Sequence, residues 1–277
     1  AINISFGNSY GSHDGTSLIE TFIDDISNLW KMVICIGTGN EGNAAGHSTE
    51  KFLQNKPKKI KLTVGDYERN LNIQIWKSYV DSYIFTIAAP GQINKIQIDS
   101  VKGSTIARLG NNKILIYYGE PAPYSPFQEI YIEIIPDGIN KEFISTGIWT
   151  INVEPIRIVT GQIDMWLPDS ASLNFDTRFL NPNPDTTLTI PSTCEAAISV
   201  GGYNSLSFAY ADFSGRGFTR VTNQIKPDIV APAINIASAA VGGGVTEKTG
   251  TSMACPFVTG GAALLMEWGD GVIIRLH

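Results

Sequence analysis

The chain has 277 residues, of which 43% are hydrophobic and 17% are charged, and this composition is typical of a folded globular protein. Its formal net charge of −6 argues against a nucleic-acid-binding surface, which needs a basic stripe. The sequence contains no apolar run that approaches the roughly 20 residues needed to span a bilayer. We therefore expect neither nucleic acid nor a membrane span among the features of this chain.

The first 47 residues have a strand–helix–strand pattern. Residues 1–7 indicate a buried strand that enters a turn, and residues 32–36 indicate a second buried strand. Between them, Ser17 and Glu20 have the spacing of a helix capping box. The helix that follows is expected to bury one apolar stripe, formed by Leu18, Phe22, Ile23, Ile26, Leu29 and Trp30. This order predicts a βαβ crossover in a parallel sheet. Because a natural chain rarely begins inside a core strand, we expect a fragment.

The pattern changes to β-structure between residues 48 and 182. Apolar and polar residues alternate in six short segments bounded by Gly, Pro, Asn and Asp, and these predict strands at 60–64, 71–75, 96–98, 114–118, 130–135 and 147–153. Many short strands at this spacing favour an all-β sandwich or jelly roll. The sequence Asn-Pro-Asn-Pro-Asp at residues 181–185 indicates a linker that leaves this region.

The α/β pattern returns after the linker. Short strands are predicted at 197–200 and 228–230, and residues 252–268 have the composition of a helix buried on all sides. The predicted fold is therefore an α/β parallel-sheet domain, interrupted by a β insertion. The domain would comprise residues 1–47 and 183–277, and the insertion residues 48–182.

Ser252 is the strongest candidate for a reactive residue. It lies in Gly250-Thr-Ser-Met-Ala-Cys-Pro256, a glycine-preceded turn that opens the predicted helix. A serine that attacks a carbonyl needs an exposed hydroxyl and a backbone N–H directed at the developing oxyanion, and the first N–H groups of a helix have no intrahelical partner. Pro256 is tolerated there, because no intrahelical hydrogen bond is lost. An ordinary N-cap serine on a core helix would explain the same residues.

Several segments together resemble the subtilase family of serine peptidases, in the order that the family has them. The matching segments are Ile2-Asn-Ile-Ser-Phe-Gly7, Gly37-Thr-Gly-Asn-Glu-Gly42, Asp212-Phe-Ser-Gly-Arg-Gly217, Lys226-Pro-Asp-Ile-Val-Ala-Pro232 and the serine motif itself. They cover most of the predicted α/β part. The resemblance implies a subtilisin-like domain that hydrolyses protein or peptide substrates.

The resemblance also implies roles for individual residues. Ser252 would be the nucleophile, and Asn40 would donate its side-chain amide to the oxyanion. Ser5, Phe6 and Gly7 would pair with an extended substrate, and Gly37, Thr38 and Gly39 would line the primary specificity pocket. Without the family context, Asn40 would be interpreted as a turn residue in a Gly-rich loop. No cofactor is certain; calcium is possible by resemblance, although no ligand can be named from this sequence.

The family's activating aspartate and histidine have no counterpart in this sequence. In the family both precede the strand with which this chain begins. The three histidines are His13, His47 and His277. His13 is predicted to be a loop residue near the first helix, and His47 an exposed loop residue. We therefore expect the chain to lack the N-terminal part of the catalytic domain, to be inactive alone, and to leave a sheet edge that could form a homodimer.

A β insertion directly after the oxyanion loop resembles a clostridial branch of subtilases that includes germination-associated proteases. That resemblance implies a jelly-roll insertion and a secreted or spore-associated location. Two other functions remain open, a non-catalytic regulatory partner and a module that binds carbohydrate or protein. Trp149 and Trp166 could form a sugar platform, although tryptophans in a sandwich are more often core residues. Three cysteines, Cys35, Cys194 and Cys255, are predicted to be buried thiols.

Overall fold

The computed structural model describes residues 1–98, 103–120, 125–138 and 141–275. The chain forms two compact units, which we call the α/β unit (residues 1–44 and 184–277) and the β unit (residues 45–183). In chain order the elements are β1 (Ile2–Ile4), α1 (Leu18–Trp30), β2 (Ile34–Gly37), β3 (His47–Lys51), β4 (Lys58–Val64), β5 (Leu71–Ser78), β6 (Ser82–Ala88), β7 (Ile96–Ile98), β8 (Gly103–Leu109), β9 (Asn112–Tyr118), β10 (Phe127–Pro136), β11 (Gly147–Arg157), β12 (Gln162–Trp166), a 3₁₀ turn (Ser170–Ser172), β13 (Arg178–Phe179), β14 (Ile198–Tyr203), β15 (Ile229–Pro232), β16 (Ile236–Ala239), β17 (Val245–Lys248) and α2 (Thr251–Arg275).

The α/β unit is built on a four-stranded sheet with the strand order β1-β2-β14-β15. All three pairings in it are parallel, as the βαβ pattern predicted. The strand predicted within residues 1–7 is present, but the prediction that it is buried is wrong. The strand covers only residues 2–4, and Ile2 is 41% exposed, because β1 lies at the edge of the described sheet and pairs with β2 alone.

Helix α1 lies against one face of this sheet. It begins with the predicted capping box, in which Ser17 Oγ accepts from the Glu20 N–H (3.4 Å) and the Glu20 carboxylate accepts from the Ser17 N–H (3.1 Å). Ile23 and Ile26 pack into a cluster with Ile34 and other residues of the sheet. The expected single buried stripe is wrong, because its remaining members, Leu18, Phe22, Leu29 and Trp30, are exposed. The apolar stripe is wider than the part of the helix surface that the sheet covers.

Helix α2 packs against the opposite face of the sheet. Ala254 and Cys255, in its first turns, join Cys35 and Val200 in a second core cluster. The prediction that this helix is buried on all sides is wrong for its later turns, where Leu264, Leu265 and Trp268 are exposed. A helix of 25 residues is about 37 Å long, whereas a four-residue strand spans only about 13 Å. The helix therefore extends beyond the end of the sheet. Over the described residues, neither helix combines the length and apolar character that crossing a membrane requires.

The β unit consists of two antiparallel sheets. Their strand orders are β3-β12-β5-β10-β9-β8 and β13-β4-β11-β6-β7. All six predicted strands of this region are present, and five further strands, β3, β6, β8, β12 and β13, were not predicted. Inward-facing side chains of both sheets form one continuous apolar core. Trp149 is part of that core, and its Nε1–H donates to the Ser145 carbonyl (2.9 Å), so it does not present a sugar-binding face.

His47 was predicted to be an exposed loop residue, and this is wrong. It begins β3, is buried, and stands opposite Trp166 in the antiparallel pairing of β3 with β12. The two rings stack with centroids 4.6 Å apart and planes 17° apart. Its imidazole is therefore a core component of the β unit, and Trp166, which it covers, is buried as well.

The three cysteines are free and buried, as predicted. Burial raises the pKa of Cys194 to about 12 and that of Cys255 to about 11. Because only the thiolate is an effective nucleophile or metal ligand, these two side chains act as small apolar residues at neutral pH.

Candidate active site

Ser252 is the second residue of α2, so the alternative of an N-cap serine does not apply to it. Its hydroxyl instead reaches across to the segment that follows β1, where it donates to the Ser5 carbonyl (3.1 Å). In return, Ser5 Oγ donates to the Ser252 carbonyl (3.2 Å). This reciprocal pair joins the candidate nucleophile to the predicted substrate strand, although 247 positions separate the two residues.

The turn before Ser252 depends on glycine. Gly250 has φ +147°, a region that other residues rarely adopt, and its N–H donates to the Ala233 carbonyl (2.8 Å). A Cβ at Gly250 would lie only 3.2 Å from Asn40 Nδ2. The glycine therefore permits both the turn and the close approach of the asparagine side chain.

The hydrogen bonds of Asn40 fix the orientation of its amide. Asn40 Oδ1 accepts from the backbone N–H of Thr251 (3.0 Å) and lies 3.4 Å from Thr251 Oγ1. Since a backbone N–H can only donate, the amide oxygen must face Thr251, and Nδ2 must face away from it. Asn40 is exposed, so its Nδ2 can donate to a group bound beside Ser252. Sequence reasoning missed Thr251, whose position beside the serine was the available signal.

Residues 37–39 are held from three directions. The Thr38 N–H donates to the Val200 carbonyl (3.1 Å), the Gly39 N–H donates to Thr251 Oγ1 (3.1 Å), and the Gly39 carbonyl accepts from the N–H of Gly215 (3.0 Å). The Thr38 side chain is fully buried, with its Oγ1 3.3 Å from Ser214 Oγ. The Thr38 side chain is therefore closed to a ligand and only its backbone could meet one, and the lining of a specificity pocket by residues 37–39 stays a prediction. Gly37 is buried at the end of β2, and Gly39 is half-buried.

The predicted substrate strand is anchored at both ends. Before it, Thr259 Oγ1 of α2 donates to Asn3 Oδ1 (3.2 Å). After it, Asn8 forms an antiparallel bridge with Ile190. Between these anchors Ser5 is half-buried, Gly7 is exposed and Phe6 is 66% exposed. An exposed segment that is fixed at its two ends is suited to pair with an extended chain.

His13 lies in the loop before α1, as predicted, and it is buried. Its Nδ1 is 2.8 Å from the Leu188 carbonyl oxygen, and its Nε2 is 3.1 Å from the Ser9 carbonyl oxygen. Both ring nitrogens therefore face backbone acceptors of neighbouring loops. His277 lies outside the described residues.

The Lys-Pro-Asp motif at residues 226–228 stabilises the sheet of the α/β unit. Lys226 Nζ donates to Asp228 Oδ2 (2.8 Å) and to the Ala197 carbonyl (3.1 Å), and the Ser199 N–H donates to Asp228 Oδ2 (2.7 Å). Burial alone would raise the pKa of Asp228, but the hydrogen bonds from Lys226 and Ser199 outweigh it and lower that pKa. These contacts fix β15 beside β14.

Within the described ranges, no group of three or more His, Cys, Asp or Glu side chains is placed to hold a metal ion. The candidate site brings together hydroxyl, amide and backbone groups, with Ser252 as the candidate nucleophile. This donor set suits an acyl-transfer reaction.

Comparisons with known proteins agree with this chemistry. The model of the subtilase family matches residues 171–271. The subtilisin-like protease SBT1.6 of Arabidopsis thaliana is 44% identical over 81 residues, which cover 23% of this chain and 11% of that protein. The serine protease AprX of Bacillus subtilis (strain 168) is 35% identical over 108 residues, which cover 31% of this chain and 24% of that protein.

The site and these matches indicate one class: residues 171–271 match the subtilase family, and over its aligned parts the chain is similar to subtilisin-like serine proteases. Among solved structures it is similar to the Clostridium perfringens CspB protease, with 39% sequence identity and a TM-score of 0.86. That likeness covers 99% of this chain and 55% of the CspB chain. The chain thus spans about half the length of this structural relative, and a quarter or less of the two curated ones.

Proposed function

We propose that this chain is part of a serine endopeptidase that cleaves protein or peptide substrates through an acyl-enzyme at Ser252. The observation that carries the proposal is the convergence of the Ser252 hydroxyl, the oriented amide of Asn40 and the largely exposed segment at residues 5–7. In the reaction, Ser252 Oγ gives its proton to a base and attacks the substrate carbonyl, while Asn40 Nδ2 and the Ser252 N–H stabilise the oxyanion. The scissile C–N bond then breaks, and the amine leaves with the proton that the base returns. Water then hydrolyses the acyl-enzyme.

The base that accepts the Ser252 proton is proposed to come from outside this chain. His13 faces two carbonyl oxygens, and His47 is stacked inside the core of the β unit. In the resting arrangement the Ser252 hydroxyl donates to Ser5, and a histidine of a preceding segment would have to replace that acceptor. An aspartate of the same segment would orient the histidine. On this proposal the chain alone does not turn over substrate.

The remaining family-based expectations form part of the same proposal. Residues 48–182 would be a jelly-roll insertion in a catalytic domain made of residues 1–47 and 183–277, of which this chain is one part. A secreted or spore-associated location follows from the same resemblance. Calcium binding also remains a prediction, and equilibrium dialysis of the longer protein against Ca²⁺ would test it.

Labelling with a fluorophosphonate probe tests the proposed nucleophile. We expect covalent labelling at Ser252 when the chain is joined to the segment encoded before it, and none in the chain alone, because an unactivated serine is a weak nucleophile. Peptide mapping of the labelled protein identifies the modified residue, and Ser252→Ala is the matched control. Strong labelling of the chain alone would contradict the proposed external base. Absence of labelling in the longer protein would contradict the proposed reaction.

A second candidate function is a non-catalytic subtilase-like regulatory partner. The engagement of both His13 nitrogens with backbone carbonyls favours it, because neither is directed at Ser252. The same experiment separates the two functions, since a regulatory partner stays unlabelled in both forms. A carbohydrate-binding role through Trp149 and Trp166 has less support, because both side chains are buried.

Association through the β1 edge is a further part of the proposal. Among the described strands β1 pairs with β2 alone, and exposed apolar side chains such as Ile2 and Trp30 lie in the same unit. Free strand edges and apolar patches recruit partners. In sedimentation velocity, we expect the chain alone to run at twice its mass of 30.0 kDa. Ile2→Lys should shift it to the monomer, and a monodisperse wild-type monomer would contradict the association.

A further inference from the structure

The Gly-rich loop that carries Asn40 is bound on both sides of that residue by the segment between β14 and β15. Before Asn40, the Gly39 carbonyl accepts from the Gly215 N–H (3.0 Å). After Asn40, the Gly42 N–H donates to the Phe213 carbonyl (2.8 Å). The position of Asn40 therefore depends on the position of residues 213–215.

The Ser214 side chain is the centre of a buried hydrogen-bond network in this segment. Ser214 Oγ accepts from the Gly202 N–H (2.9 Å), donates to the Tyr210 hydroxyl (2.9 Å) and lies 3.3 Å from Thr38 Oγ1. The Tyr210 hydroxyl in turn donates to the Gly215 carbonyl (2.7 Å). Ser214 and Thr38 are both fully buried. The network thus joins the loop, strand β14 and the segment after it.

The donors and acceptors of this network have only one possible arrangement. A carbonyl can only accept, so the single hydroxyl proton of Tyr210 goes to Gly215. Ser214 must then donate to Tyr210, and at the remaining contact Thr38 must donate to Ser214. Burial raises the pKa of Tyr210, so its hydroxyl keeps its proton at neutral pH. Tyr210 therefore supplies both the acceptor for Ser214 and the donor for Gly215.

The loop and the segment are also packed backbone against backbone. A Cβ added to Gly42 would collide with the Ser214 carbonyl oxygen, and a Cβ added to Gly215 would collide with the Thr38 carbonyl oxygen. At such close approach a displacement of one backbone displaces the other. Any loosening of residues 213–215 is therefore transmitted to the loop.

We propose that Tyr210 is a positioning residue, which holds the loop at residues 38–42 through Ser214 and so fixes the place of the Asn40 amide. The inference rests on the proposed endopeptidase function, in which that amide stabilises the oxyanion. In this role Tyr210 acts on catalysis through Asn40 and not by meeting the substrate. Because the oxyanion exists only after attack, a misplaced amide lowers kcat and leaves KM nearly unchanged.

Tyr210→Phe removes the hydroxyl and keeps the ring, whose centroid lies 5.7 Å from the Arg216 guanidinium carbon. The matched control is Tyr203→Phe. Tyr203 forms a β-bridge with Tyr210, and in the described part of the chain its hydroxyl makes no hydrogen bond. Thermal unfolding shows whether each variant is folded. Thr38→Val, which removes the donor at the other end of the network, replaces Tyr210→Phe if that variant is not.

A double-mutant cycle with Asn40→Ala distinguishes positioning from a general structural effect. In the longer protein, Tyr210→Phe should lower kcat by about 10- to 100-fold, the range for a displacement of up to about 1 Å. KM should change by less than about 2-fold, and Tyr203→Phe should change neither constant. In the Asn40→Ala background, Tyr210→Phe should change kcat by less than about 2-fold, because the group that it positions is gone. An equal loss in both backgrounds, or no loss in the wild type, would overturn the proposal.

Hydrogen–deuterium exchange tests the same contact without catalysis. In the longer protein carrying Ser252→Ala, peptides that cover residues 37–44 are followed by mass spectrometry. Tyr210→Phe should speed their exchange by about 2- to 10-fold, as expected for the loss of one neutral hydrogen bond, and Tyr203→Phe should not. If the wild type cleaves no peptide, the endopeptidase proposal fails, and exchange still shows whether Tyr210 holds the loop. Unchanged exchange, or faster exchange with an unchanged kcat in an active enzyme, would overturn the inference.

Discussion

Replacing Asn40 by alanine is expected to lower kcat of the longer protein by about 10²–10³-fold, the magnitude known for a side-chain oxyanion donor in subtilisin. The structural reason is the orientation of its amide. Oδ1 faces the Thr251 N–H, so Nδ2 is the group left to meet the oxyanion. Since the oxyanion exists only after attack, KM should change little. The measurement is steady-state kinetics of the longer protein on a peptide substrate that it cleaves.

The control for Asn40→Ala must preserve the start of α2. Asn40→Asp supplies an oxygen that can still accept from the Thr251 N–H, but it has no amide to donate. If activity depends on the donor, the aspartate variant should be at least as impaired as the alanine variant, since a second negative charge disfavours the oxyanion. If Asn40 acts only by fixing the first turn of the helix, Asn40→Asp should restore most of kcat. Restoration would therefore contradict the proposed role.

Much of the candidate site could be predicted because it lies in short, ordered motifs. Three of its features each depend on one residue type, which can be identified in the sequence itself. They are the glycine of the turn at Gly250, the serine that follows and the asparagine of the Gly-rich loop. Their mutual contacts could not be predicted from spacing. The bond from Ser252 to Ser5 joins residues that are 247 positions apart, and the packing of α2 against the sheet that contains β1 brings them together.

The features of the site and fold that were not predicted depend on contacts between residues that are far apart in the sequence. Thr189 lies in no recognisable motif, yet its side chain fills the space beside Gly7 and Gly39 and its N–H donates to the Thr38 carbonyl. His47 looked like a loop residue because β3 has little apolar alternation, yet pairing with β12 places it against Trp166. Periodicity marks which positions of a helix are apolar, but how many of them a sheet can cover is decided by tertiary structure.

Strands of the β unit were easier to predict where apolar and polar residues alternate strictly along them. β10 places every second residue in the core, and its alternation is visible in the sequence. β8 is mostly exposed, and its residues give no comparable signal. The hairpin of β16 and β17 was missed for the same reason, since a glycine-rich turn joins two short exposed strands. A strand that buries one face shows alternating apolar and polar residues in the sequence. A strand that buries neither face shows no such pattern and cannot be predicted from it.

Trp149→Ala is expected to lower the free energy of unfolding by about 3–5 kcal/mol, the usual cost of truncating a large buried aromatic side chain. Trp149 is fully buried in the core shared by the two antiparallel sheets. Its loss leaves a cavity, and it also removes the hydrogen bond from Nε1–H to the Ser145 carbonyl. Because domains are stable by only about 5–15 kcal/mol, the β unit should become marginal. Urea denaturation followed by far-UV circular dichroism measures the change.

Two controls make this result specific to the core. Trp268→Ala removes the same side chain at a position that is 70% exposed, and should change the stability by no more than about 0.5 kcal/mol. Trp149→Phe keeps most of the volume and loses the indole N–H, so its effect should fall between the two. A Trp149→Ala variant as stable as Trp268→Ala, with loss of binding on a glycan array, would contradict the core assignment. That result would revive carbohydrate binding as the role of the β unit, because a tryptophan removed without loss of stability cannot be part of the packed core.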